Sequence, residues 1–139
     1  MAKPSTKYPY AAIEHRVLDS RAYADLTYSA RAILTVLTRQ LTRDNNGHLQ
    51  GSFAYMKKFG IDSPVTLSRG LAELIAHGMI YKARTGGYQQ GVSKYAVTWL
   101  SVSRTEGIFM KGFKPFAWRD WTPAEKKPPL KTVSSQVQI

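Results

Sequence analysis

Apolar residues recur at three-and-four spacing in two stretches of the chain and alternate with polar ones in a third. Ala30, Ile33, Leu34, Leu37 and Leu41 form one stripe, the pattern of an amphipathic helix laid on a core, and Thr27 stands where its N-cap belongs. Asn45, Asn46 and Gly47 follow, residues suited to the left-handed backbone of a turn. His48 to Gln50 then reads as a short strand, and Ser52 as the cap of a second helix running through Phe53 and Met56 to Phe59, closed by Gly60. A third helix starts sharply. Asp62 is expected to cap it, Pro64 sits in the first turn where a missing N–H does no harm, and Leu67, Leu71, Leu74 and Ile75 make its docking stripe before Gly78 ends it. MIYKAR and KYAVTWL, separated by TGGYQQGVS, read as a β-hairpin with a Gly-containing loop.

The ends look different. Residues 1–17 begin with a Pro- and Lys-containing arm and continue as an extended segment, residues 18–100 hold the periodic elements, and residues 101–139 form a C-terminal extension mixing Gly, Pro and Lys with aromatics. FKPFAWRDW, Phe113 to Trp121, is expected to pack back, with Trp118 and Trp121 as anchors because aromatic rings bury large areas. The last 15 or so residues lack any periodicity and are expected to be mobile. Tyr23, Tyr28, Phe53, Phe59, Tyr81, Tyr95 and Trp99 are assigned to the core or its edge.

The third helix has an unusual outer face. Val65, Thr66 and Arg69 lie away from the leucine stripe, with Ser63 at the N-terminal end; a purely structural helix would usually show Lys and Glu there. Glu73 is expected to pair with a basic group of the protein. Composition gives the face a meaning: among 139 residues the formal net charge is +11 and the pI about 10.0, which favours a polyanionic partner, nucleic acid before membrane. With 43% hydrophobic residues the chain can bury one modest core.

Other classes of function find little support. There is no Cys, so disulfides and thiolate metal sites are excluded and a cytoplasmic, nucleoid-associated location is expected. The N-terminus lacks a signal-peptide apolar run, and no stretch approaches the roughly 20 apolar residues of a membrane span. His15, His48 and His77 are scattered without metal-ligand spacing, no nucleophile motif is present, and TGGYQQG is a hairpin loop rather than a phosphate-binding turn before a helix. The expectation is a protein that is not an enzyme and needs neither cofactor nor metal.

The runs LDSRAYADLTYSARAILTVLTR, NNGHL, SFAYMKKFGIDSPVTLSRGLAELIAHGMI and SKYAVTWL, in that order, resemble the winged helix-turn-helix proteins encoded by phages, plasmids and neighbouring bacterial genes. The resemblance covers about Leu18 to Leu100, and the WRDW of the extension resembles the Trp-containing ends of these proteins. It implies an α+β winged helix-turn-helix fold, a three-helix core with a hairpin wing, that binds double-stranded DNA with the third helix in the major groove. In that pose Arg69 contacts guanine, Ser63 or Thr66 hydrogen-bonds a base or phosphate, and Val65 meets a thymine methyl. Phosphate contacts are expected from Arg31, Ser52, Tyr55, Lys57 and Lys58, and from Arg84, Tyr88, Gln89 and Lys94 on the wing. Lys57 and Gly70 depart from the small residue and the Ala usual at their positions; Gly70 is expected to leave room for the aliphatic stem of Lys57. The implied activity is sequence-specific regulation of transcription, or an accessory role in replication, for a mobile element. A homodimer would need half-sites about one helical turn apart, but no heptad seam is visible. The competing expectation is an interaction module that binds a protein partner in a nucleic-acid-handling complex.

Overall fold

The computed structural model describes residues 8–86 and 92–123. Among them the chain is α+β, with five α-helices and one three-stranded antiparallel sheet. The helices are α1 (His15–Leu18), α2 (Arg21–Asp25), α3 (Tyr28–Arg39), α4 (Phe53–Lys57) and α5 (Pro64–Ala76); the strands are β1 (Leu49–Gln50), β2 (Ile80–Arg84) and β3 (Lys94–Val97). The sheet order is β1-β3-β2. The C-terminal residues expected to be mobile lie outside the described residues.

Thr27 caps α3 as its sequence position indicates, accepting a hydrogen bond from the Ala30 N–H at 3.2 Å. The helix stops at Arg39, two residues short of Leu41, with Asn45 Nδ2 donating to the Gln40 carbonyl at 2.7 Å, and the Gln40 side chain is put to a further use. Its side-chain amide donates to the Gln50 carbonyl and accepts from the Gln50 N–H, both at 2.8 Å. A side chain thereby satisfies the backbone of β1 where no fourth strand runs, which also blunts an edge open to pairing with other chains. Asn46 plays a similar part. It lies in the expected turn, where Gly47 alone takes a positive φ, and its buried side chain accepts from the Val97 N–H at 2.8 Å and donates to the carbonyls of Val97 and Leu100 at 3.0 Å.

Three helix details differ from the sequence reading. Ser63, not Asp62, caps α5: its hydroxyl oxygen accepts from the Thr66 N–H at 3.2 Å, while Asp62 stays exposed in the turn before it. Ile75 is 40% exposed and lies off the docking face, which Leu67 and Leu74 occupy with half-buried Leu71 and with Gly70. Gly70 makes room for Ile33 of α3, not for Lys57. A Cβ at position 70 would lie 2.3 Å from Ile33 Cδ1 and 3.7 Å from the Ala30 Cα, so the glycine sets how closely α5 crosses α3. Gly70→Ala is therefore expected to lose about 1–3 kcal/mol to overpacking, offset by roughly 1 kcal/mol of helix propensity. Adding Ile33→Val, which deletes the offending methyl, should leave the double variant more stable than Gly70→Ala alone. Equal urea midpoints for the two would show that the methyl does not collide.

The core does not respect the boundaries expected at 17/18 and 100/101. Val17 is fully buried on α1, and Ser20 caps α2 while donating to the Val17 carbonyl at 2.7 Å. Helices of four and five residues carry too little of the 3.6-residue repeat to be read from sequence and owe their stability to packing. At the other end the extension is built into the sheet. Phe109 donates its N–H to the Ala83 carbonyl and Phe116 to that of Thr98, both at 2.7 Å, and the Tyr81 ring meets Phe113 edge-on. Ile108 closes over Gly47. Lys114 holds Asp120 at 2.6 Å and keeps that carboxyl below its ordinary pKa.

Trp118 and Trp121 are 5% and 8% exposed, and Trp121 stacks on His77 with ring centroids 4.4 Å apart. They are the anchors expected of them. Their close approach depends on Gly78, whose φ of +76° and lack of a Cβ admit the backbone of Ala117 and Trp118. Tyr28, by contrast, is 83% exposed and belongs to neither core nor edge.

Candidate nucleic-acid interface

The outer flank of α5 follows from what its inner face must do. With Leu67, Gly70 and Leu74 committed to the core, the 3.6-residue repeat turns Val65 and Arg69 outward. Val65 is 58% exposed and Arg69 is exposed with no hydrogen bond or ion pair among the described residues. Thr66 is half-buried and lines shallow recesses shared with Tyr28 and Ser29 at the start of α3. The cap role of Ser63 takes one lone pair of its oxygen and leaves the hydroxyl proton to donate. The four side chains expected to read bases thus lie within two turns at one end of α5, and Trp118 and Trp121 sit at the other.

Glu73 explains why Arg69 stands alone. A carboxylate four residues after an arginine is within its reach on a helix surface. Here both oxygens are taken by Thr27, which donates its backbone N–H at 2.7 Å and its hydroxyl at 2.8 Å. Glu73 pairs with no basic group, contrary to expectation; it supplies an anion to the positive N-terminal end of α3 and ties α5 to it.

The expected phosphate contacts divide. Lys57 and Lys58 are exposed at the end of α4; the Lys57 ammonium lies 5.8 Å from the Phe53 ring centroid. Ser52 caps α4 by accepting from the Tyr55 N–H and donates to Gln50 Oε1 at 3.0 Å. The Tyr55 ring is tilted against Phe59, and its hydroxyl takes a long 3.5 Å contact from Arg39. Arg31 is spent within the fold: its guanidinium donates to the Ala24 carbonyl at 2.9 Å and lies over the rings of Tyr23 and Tyr28. Lys94 reaches His48 Nδ1 at 3.3 Å, and His48 in turn contacts the Arg104 carbonyl at 2.8 Å. Arg84 pairs with Lys94 across the hairpin. Tyr88 and Gln89 lie outside the described residues.

Two cations were missed by sequence reasoning. Arg39, exposed at the end of α3 and 5.1 Å from the Phe59 ring centroid, reaches the Tyr55 hydroxyl only through the tertiary fold. Lys82 is exposed on β2, and alternation alone could not separate it from Arg84.

No helix among the described residues is long and apolar enough to cross a membrane, and none of their His, Asp or Glu side chains cluster as a metal site. No protein family, curated protein or solved structure matches the chain.

Proposed function

We propose that this chain is a winged helix-turn-helix protein that binds double-stranded DNA with sequence preference, as a transcriptional regulator or replication accessory factor of mobile-element type. In this reading α3, α4 and α5 are the three-helix core, β2 and β3 flank the wing, and α5 enters the major groove. The observation that carries it is the state of the α5 flank: Arg69 exposed and unpaired beside Val65 and Thr66, with the one acidic residue of the helix turned onto Thr27. An exposed cation that a fold keeps free of its nearest carboxylate suits a bidentate contact to guanine O6 and N7. The net charge of +11 supplies the sequence-independent attraction on which such a contact is superimposed.

The test is a fluorescence-anisotropy titration of the full chain against random duplexes and duplexes selected from a randomised pool. Selection should enrich a motif containing a G·C pair. Arg69→Ala should then lose about 1–3 kcal/mol of preference at that pair while weak binding to all duplexes persists. Absence of any duplex binding at low salt would refute the reading and leave a protein partner as the ligand of this face; an unchanged preference in Arg69→Ala would remove Arg69 from base reading.

A further inference from the structure

We infer that a β-bulge at Ala83 sorts the cations at the base of the wing, so that Lys82 is the phosphate contact there and Arg84 and Lys94 are not. This rests on the duplex-binding reading above and adds to that surface a residue which the sequence reading did not include.

The register carries the inference. Ile80 pairs with Val97, Tyr81 with Ala96 and Lys82 with Tyr95, after which Arg84 pairs with Lys94, leaving Ala83 as an extra residue on β2. Residues opposite one another on an antiparallel ladder point to the same face, and a bulge moves everything beyond it to the other face. Ile80, Val97, Tyr95 and Leu49 are buried in the core with the helices. Tyr95 and Leu71 of α5 both border Gly51, where an added Cβ would meet each of them within 3.3 Å. The Tyr95 face is therefore the α5 face, and Lys82, opposite Tyr95 in the register, is exposed on it.

Without the bulge Arg84 would follow Lys82 onto that face. With it, Arg84 shares the face of Lys94, Ala96 and Tyr81, which the C-terminal extension occupies. Gly112 donates to the Tyr81 hydroxyl at 3.1 Å, Phe109 donates to the Ala83 carbonyl, and Lys94 leads through His48 to Arg104. A DNA strand running beside α5 meets the ammonium of Lys82 at the base of the hairpin. Arg84 and Lys94 instead line the side where the extension lies.

Two measurements test this. For binding to one duplex at several salt concentrations, Lys82→Ala should lower the slope of log K against log salt by about 0.9, the loss of one phosphate contact, and weaken all sequences alike. Arg84→Ala should change the slope by less than half as much. Because the chain has no Cys, Lys82→Cys and Arg84→Cys each introduce a single thiol. With a duplex carrying a thiol-reactive group on its backbone, the residue-82 thiol should cross-link and the residue-84 thiol should not. Equal slopes for the two alanine variants, or cross-linking at residue 84 in preference to 82, would overturn the assignment. Failure of the unmodified chain to bind any duplex would instead refute the DNA-binding reading, and the two failures are told apart by that first titration.

Discussion

Trp118→Ala is expected to cost about 3–5 kcal/mol, the range for removing a large buried aromatic, and to lower the melting temperature by roughly 10–20 °C. The size follows from position. Trp118 is 5% exposed and part of the main core cluster, and it meets Phe116 edge-on. Its backbone also lies against Gly78 and the segment that carries it packs on α2, so the cavity would open where the extension meets the helices. The indole N–H, however, has no hydrogen-bond partner among the described residues. Burying an unpaired donor costs about 1–3 kcal/mol, so Trp118→Phe, which removes it while keeping a ring, should cost far less than the alanine change. Thermal melts of both variants decide the matter: a loss under about 1 kcal/mol for Trp118→Ala would show the extension to be a dispensable cover.

Duplex binding is expected to weaken by roughly a hundredfold between 50 and 200 mM salt if about four phosphates are neutralised. The geometry makes that number attainable without Arg31, whose guanidinium is committed to Ala24 and two tyrosine rings. Lys57, Lys58, Arg39 and Lys82 are exposed cations, and Ser63, Thr66 and Tyr55 can add neutral contacts that position the strand without releasing counterions. Titrations at four salt concentrations give the slope directly. A slope shallower than about −3 would mean that fewer than four phosphates are engaged, too few for the surface described.

Much of this arrangement was readable from the sequence where one principle acted alone. The stripe on α3, the Thr27 cap, the α5 leucines and the two hairpin strands follow from period and capping chemistry, and the aromatic content of WRDW was enough to suggest anchoring. What escaped the reading was settled by tertiary partners. Asn46 and Gln40 look like a turn residue and a helix end, yet each serves as a surrogate strand for backbone remote in sequence. Gly70 invited an explanation from its nearest helical neighbour, whereas its reason lies on α3. At the candidate interface, the residues facing outward on α5 could be listed from a helix wheel. That Arg69 is left unpaired depends on Thr27, 46 residues from Glu73, and which hairpin cations share its side depends on a one-residue bulge; neither is a property of any local window.

The Gly78 junction has one more consequence. Since α5 is 13 residues long, about 20 Å separate its two ends, and the tryptophan clamp grips only the far one. On the proposed reading, exchanging the outward-facing Val65 and Arg69 would change which duplex is preferred and leave that clamp untouched, while Leu67 between them stays committed to the core. In that reading the face that meets the duplex and the anchor of the extension fall toward opposite ends of a single rod, so either can change without the other.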